Sequence, residues 1–223
     1  MPTEPAGRRP LKSRDLPFFK NLAARLACGG TTPNGISFAS IVCGCCAGAA
    51  LAATAYFDGW LLRGCWLGAA VGIQLRLIAN LLDGMVAVEG RKGGPVGDLW
   101  NEAPDRVSDA AIFIGAGYAA GSSPVLGFAA ALVAVFVAYV RALGAGVGAG
   151  QCFLGPQAKP QRMALMTGVC VLTAAMPRYS TLIGEHPLPA VAIALWVVLV
   201  GGLVTAWRRH SFIADFLRKK SHP

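Results

Sequence analysis

The chain has 223 residues; 55% are apolar, 28 are glycine and only 14% are charged, where a soluble domain carries about 25%. With a net charge of +9 and a mean hydropathy of +0.54, the composition excludes a soluble globular enzyme, a disordered tail and a secreted disulfide scaffold. The charges are segregated, with none between Arg25 and Asp58 or between Asp109 and Arg141. The expected fold class is therefore all-α, a polytopic membrane protein.

Residues 1–30 form a basic segment. It does not read as a secretory signal, because Arg8, Arg9, Lys12, Arg14 and Lys20 precede no apolar core of their own. Asp15 to Ala27 reads as a short interfacial helix, its Leu and Phe side chains towards lipid and Lys20 and Arg25 towards the headgroups. A spanning helix needs about 20 mostly apolar residues, and Ile36 to Phe57 and Trp60 to Leu82 both qualify. The second of these carries Arg63 near one end and Arg76 near the other. The run from Ala110 to Val140 is too long for one helix, and Gly121-Ser122-Ser123-Pro124 divides it in two. Met163 to Ile183, interrupted by Pro177 and Arg178, and Leu188 to Trp207 complete six transmembrane helices within residues 31–207. Residues 208–223 form a basic tail.

Six crossings place both termini on one side, together with Arg91, Lys92, Arg106, Arg141, Lys159, Arg162 and the tail. The excess of Arg and Lys makes that side cytoplasmic. The positive charge is thus explained by topology and anionic lipid, and no nucleic-acid partner is expected. The seven cysteines have no His spaced for zinc, and Cys43-Gly44-Cys45-Cys46 reads as close helix packing. Gly144 to Gly150 lacks the Lys-Ser/Thr ending of a P-loop. Small residues along the spans allow tight helix contacts and a homodimer.

One stretch is too polar for its place. Six of the eleven acidic residues, Asp83, Glu89, Asp98, Glu102, Asp105 and Asp109, lie between the second and third spans. At about 100° per residue, Asp98, Asn101, Glu102, Asp105 and Asp109 share one helical face, and Asn80 and Asp83 share another. Pro104 suits a first helical turn, so the helix is expected to start near it and to leave Asp98 on a loop. Acids at a bilayer border cost several kcal/mol to desolvate unless something positive compensates. Two compensators are open: neighbouring arginines in a solvated loop, or a divalent cation on oxygen ligands. The clustering, with Gly84 and Gly97 allowing close backbone approach, favours a metal and phosphate site. Arg76, one turn before Asn80, either faces this polar interior or snorkels to the interface.

The spacing resembles the signature of the CDP-alcohol phosphatidyltransferase family, which reads Asp, two residues, Asp-Gly, two residues, Ala-Arg, eight residues, Gly, three residues, Asp, three residues, Asp. Those places hold Asn80, Asp83, Gly84, Ala87, Val88, Gly97, Asn101 and Asp105 here, with every gap kept. Thr32-Pro33-Asn34-Gly35-Ile36-Ser37 resembles the lead-in to the family's first span, and Tyr139-Val140-Arg141-Ala142 with Lys159-Pro160-Gln161-Arg162 resembles its later basic segment. The likeness covers about residues 30 to 165.

The resemblance implies transfer of a phosphatidyl (substituted phosphate) group from a CDP-linked donor, commonly CDP-diacylglycerol, to an alcohol, with release of CMP. It implies one or two divalent cations, Mg²⁺ or Mn²⁺, on Asn80, Asp83, Asn101 and Asp105. It places Asn80, Asp83, Gly84, Ala87 and Gly97 against the donor nucleotide and makes Asp105 the general base. Because Asn80 and Asn101 replace two carboxylates, Asp109 and then Glu102 are the candidates to complete the metal set. Val88 replaces the signature Arg. Arg141, Lys159 and Arg162 read either as a pocket for the phosphate of a phosphorylated acceptor or as ordinary inner-loop cations. A catalytically silent relative that binds nucleotide-lipid or a partner, and a small transporter, are the competing readings.

Overall fold

The computed structural model describes residues 16–89, 97–176, 180–183 and 186–221. Seven helices and one short strand pair make up these residues: α1 (Pro17–Cys28), α2 (Pro33–Ala53), α3 (Gly59–Glu89), α4 (Gly97–Gly117), α5 (Pro124–Gly146), α6 (Lys159–Ala175), β1 (Ser180–Ile183), β2 (His186–Pro189) and α7 (Ala190–Ser221). Four of the helices, α2, α3, α5 and α7, are long and apolar enough to cross a membrane, so the chain is an integral membrane protein.

Local chemistry sets the helix starts. Prolines occupy the first turns of α1, α2, α5 and α6, where the missing N–H has no partner to lose. At α2 the Thr32 hydroxyl also accepts from the Gly35 amide (3.2 Å), a side-chain N-cap. The turn at Gly121, whose φ of +73° favours glycine, separates α4 from α5 as the sequence indicates. The 31 residues of α3 make a helix of about 46 Å, longer than a hydrocarbon layer about 30 Å thick. A tilt across the layer or a projecting end accommodates the excess.

Three boundaries depart from expectation. Helix α4 starts at Gly97 and carries Pro104 inside it, so Asp98 belongs to the helix rather than to a loop. The missing N–H of Pro104 takes one helical donor from the carbonyl a turn earlier, and the helix continues through it. Helix α6 is 17 residues long and ends at Ala175, well short of Ile183. Met176 precedes Pro177 and leaves the helical region (φ −129°, ψ 73°), as steric conflict with the proline ring demands. Beyond it, β1 and β2 pair antiparallel, with Ser180 opposite Pro189. Finally, residues 208–221 continue α7 and do not form a separate tail.

Helix α2 packs on α3 and α4, α4 on α5, α5 on α7, and α6 on α3 and α7. The shared core includes Leu51 of α2, Ile73 of α3, Phe113 of α4, Ala130 of α5, Met166 of α6 and Leu195 of α7. Small residues let backbones meet. A Cβ on Gly48 would strike the Ala111 carbonyl of α4, and one on Gly115 would strike the backbone of Gly48. Helix α1 rests on α3 through Ala23, Leu82 and Val86, leaving Phe18 exposed. Arg209, a residue of the expected tail, is buried instead. Its guanidinium donates to the carbonyls of Leu154 (3.0 Å) and Val137 (2.9 Å) and ties α7 to α5.

Candidate functional site

The N-terminal turns of α2, the C-terminal half of α3, the middle of α4 and the first turn of α6 meet at one end of the bundle. Helical spacing places Arg76, Asn80 and Asp83 on successive turns of α3, and Asp105 and Asp109 one turn apart on α4. Lys159 opens α6, and Arg162 follows one turn later.

These side chains form one connected network. Lys159 Nζ donates to Asn80 Oδ1 (2.5 Å) and to Asp105 Oδ2 (2.5 Å). Arg76 Nη2 reaches Asp105 Oδ1 (3.1 Å) and Asp109 Oδ1 (2.5 Å). Arg162 Nη2 reaches the second oxygen of Asp109 (3.1 Å). The Ser37 hydroxyl donates to Asp83 Oδ2 (2.8 Å), and the Gly84 amide donates to Asp83 Oδ1 (2.5 Å). Asp83, Asp105, Asp109, Arg76 and Arg162 are all buried.

Charge accounting explains why so polar a cluster is tolerated. Asp105 and Asp109 pair with Arg76, Lys159 and Arg162, while Asp83 is held by the Ser37 hydroxyl and the Gly84 amide; three acids and three cations leave these six residues formally balanced. Burying any one of these charges alone costs several kcal/mol, and mutual pairing offsets that cost. Of the two compensators open from sequence, arginine pairing is thus present, but buried within the helices and not in a solvated loop. Among the described residues no three His, Cys, Asp or Glu side chains group to hold a metal ion. The Arg76 Nε and Nη1 atoms and Arg162 Nε are buried without hydrogen-bond partners among the described residues, so the network retains spare donors.

Glu102 stands apart, gripped by Arg106 one turn on and by Arg141 Nη2 of α5 (2.5 Å). Burial opposes its ionisation, but the Arg141 and Arg106 guanidinium groups outweigh that and hold the carboxyl below its ordinary value. Arg141 also donates to Gln151 (2.5 Å). The structure therefore brings Asn80, Asp83, Asp105, Asp109, Lys159 and Arg162 together and sets Glu102 and Arg141 in an adjoining pair. Gly84 is buried and Ala87 half-buried on α3. Gly97 is the first residue of α4. The side chains of Val88, Glu89, Asp98 and Asn101 lie outside the described residues, as do Arg91 and Lys92.

Two members were not assigned from sequence. Ser37 lies within the Pro-Asn-Gly-Ile-Ser segment, and a hydroxyl one turn into a helix that faces an acid was the available signal. Arg76 was left open between two placements. Its full burial against Asp105 and Asp109 settles it inside the network.

No protein-family model and no curated protein matches the chain. Solved structures do. The chain is similar to the Mycobacterium tuberculosis phosphatidylinositol phosphate synthase (PgsA1) in complex with manganese and citrate, with a TM-score of 0.68, 17% identity and coverage of 87% of this chain and 88% of that one. The same synthase with CDP-DAG bound gives a TM-score of 0.68 and 17% identity over 89% and 94% of the two chains. Its apo form gives 0.65 and 18% over 86% and 94%. At these identities the likeness is one of fold: across most of its length the chain has the fold of a phosphatidylinositol phosphate synthase.

Proposed function

We propose that this protein is a CDP-alcohol phosphatidyltransferase-type enzyme of phospholipid biosynthesis. In this reading it transfers a phosphatidyl group from a CDP-linked donor, CDP-diacylglycerol, to an alcohol and releases CMP. The observation that carries the proposal is the meeting of Asn80 and Asp83 with Asp105 at one end of the bundle, in the spacing of the family signature. The fold is shared with a synthase solved with CDP-DAG and, separately, with manganese and citrate.

Asn80, Asp83 and Asp105 offer oxygen donors of the kind a divalent cation takes, one or two Mg²⁺ or Mn²⁺ ions. The Lys159 ammonium, held by oxygens of Asn80 and Asp105, supports the reading that a cation is accepted between those two residues. Asn80, Asp83, Asn101 and Asp105 would hold the ion, the amides giving oxygen ligands without charge. Bound there, it supplies counter-charge for the donor diphosphate and the departing CMP. Gly84, Ala87 and Gly97 lie against the nucleotide. The acceptor oxygen attacks the β-phosphorus, the bond from that phosphorus to the bridging oxygen breaks, CMP leaves with the electron pair, and Asp105 takes the hydroxyl proton. Arg141, Lys159 and Arg162 receive the phosphate of a phosphorylated acceptor. Asp109, held from both sides by Arg76 and Arg162, positions those guanidinium groups.

In the same reading α4 and α6 also cross the bilayer, giving six spans, with both termini and the site on the cytoplasmic side. The excess of Arg and Lys at that end supports this sidedness. One observation favours a second reading, a catalytically silent relative: two signature carboxylates are amides, and the described acids are already compensated. Incubating the detergent-purified protein with CDP-diacylglycerol, Mg²⁺ or Mn²⁺ and a panel of free and phosphorylated polyols separates the two. An active enzyme gives CMP and the matching phospholipid; absence of CMP with every acceptor rejects the proposal.

A further inference from the structure

The neutrality of the buried network has a consequence for the cation itself. Three acids balanced in number by three side-chain cations leave these residues with no net formal negative charge to draw in a divalent ion. The oxygens of Asp83 each accept one hydrogen bond, from the Ser37 hydroxyl and the Gly84 amide, and one oxygen of Asp105 accepts from Arg76. The remaining oxygens, Asn80 Oδ1 and Asp105 Oδ2, are both held by Lys159. We infer that the Lys159 ammonium is a built-in cation that occupies a metal-ligand position of the site, so that a divalent ion binds only by displacing it. This rests on the cation site of the proposed function and adds a regulator to it.

Three observations single out Lys159 from its neighbours. It bridges one oxygen from α3 and one from α4, the arrangement a cation linking the two helices needs. Its side chain is 21% exposed whereas that of Arg76 is fully enclosed, so it has somewhere to go. It stands at the first residue of α6 on a flexible four-carbon stem, and an ammonium is a compact point charge that moves without breaking a planar pair of hydrogen bonds. Arg76, fixed by the Asp105 carbonyl and two carboxylates, lacks that freedom. The amide at position 80 agrees with this assignment, because a monovalent ammonium needs less negative charge around it than a divalent ion does.

The test is Mn²⁺ binding to the full-length protein in detergent, read by the loss of the free-ion paramagnetic resonance signal, without donor or acceptor. Lys159→Met is compared with wild type and with Arg208→Met, which also removes one positive charge but from an exposed position on α7. Displacement predicts that Lys159→Met binds Mn²⁺ at least tenfold more tightly than wild type, while Arg208→Met stays within about threefold of wild type. Equal tightening in both variants would mean that only the general field matters and overturns the inference. So does an affinity that Lys159→Met leaves unchanged or weakens, or an absence of binding in all three proteins. If Lys159→Met fails to elute as a single folded species, Lys159→Gln, which keeps a polar group beside Asn80 and Asp105, takes its place with the same criteria. CMP release by wild type, measured separately, keeps the two proposals apart. A protein that releases CMP but whose Mn²⁺ affinity ignores Lys159 loses this inference and retains its function.

Discussion

Arg76 of α3 and Asp109 of α4 form a salt bridge of 2.5 Å in which the arginine side chain is 0% exposed and the aspartate 2%. Neither charge can turn to water, so each depends on the other. Asp109 is also held by Arg162, and Arg76 by Asp105, which makes this bridge the joint between α3, α4 and α6.

Removing one partner of such a buried pair costs about 3–5 kcal/mol, because the survivor is left uncompensated. Arg76→Met is therefore expected to lower the thermal unfolding temperature in detergent sharply and to reduce the monodisperse yield. The double change Arg76→Met with Asp109→Leu is expected to recover part of the loss. Equal stability of Arg76→Met and wild type would show that the bridge is not a structural joint.

The contact between α2 and α4 allows no side chain at Gly48. Gly48→Val forces two backbones apart, and overpacking of this kind costs about 1–3 kcal/mol. The expected outcome is a lower unfolding temperature, whereas Gly64→Ala on α3, with open space around it, leaves the transition in place. Parallel melts of the two variants check this.

The Ser37 hydroxyl orients Asp83. A hydrogen bond to a charged group contributes about 1.5–3 kcal/mol, so Ser37→Ala is expected to slow CMP release by at least about tenfold while the protein still folds. Ser37→Thr, which keeps the hydroxyl, is expected to retain most of the rate. Steady-state rates of the three proteins decide the matter.

Glu102 is the acid whose charge state is set by a neighbouring helix, because Arg141 of α5 and Arg106 hold its carboxyl below the ordinary value of 4.5. A lowered value in the folded state means that ionised Glu102 adds stability above pH 4.5 and that this contribution fades as the pH falls below it. The difference in unfolding temperature between wild type and Glu102→Gln is thus expected to be constant from neutral pH down to about 4.5 and then to shrink. A difference that grows on acidification would contradict the pairing.

Much of this arrangement was legible in the sequence, for identifiable reasons. The uncharged runs marked α2 and α5, and Gly121 to Pro124 marked the turn between α4 and α5, because glycine and proline act locally. Helical spacing placed Asp105 and Asp109 on one face, and the structure keeps them there. What spacing alone could not give was the partners. Lys159 lies 54 residues from Asp105 and Arg162 lies 53 from Asp109, and only the packing of α6 on α3 brings them in. The start of α4 was missed because Pro104 signals a helix start locally, while the turns around it sustain the helix through the proline. Arg209 was read as a tail charge, since no local pattern shows that α7 continues and delivers its guanidinium to two loop and helix carbonyls.

The most direct test of the central claim compares wild type with Asp105→Asn for CMP release from CDP-diacylglycerol in mixed micelles, with Mn²⁺ and the best acceptor of the panel. Both proteins are first confirmed to elute identically on gel filtration. The account predicts CMP release by wild type that requires both the acceptor and the divalent ion. It predicts a rate at least about 100-fold lower for Asp105→Asn, the loss expected when a general base is removed. CMP release at equal rates from the two proteins, or from neither with any acceptor, would contradict it.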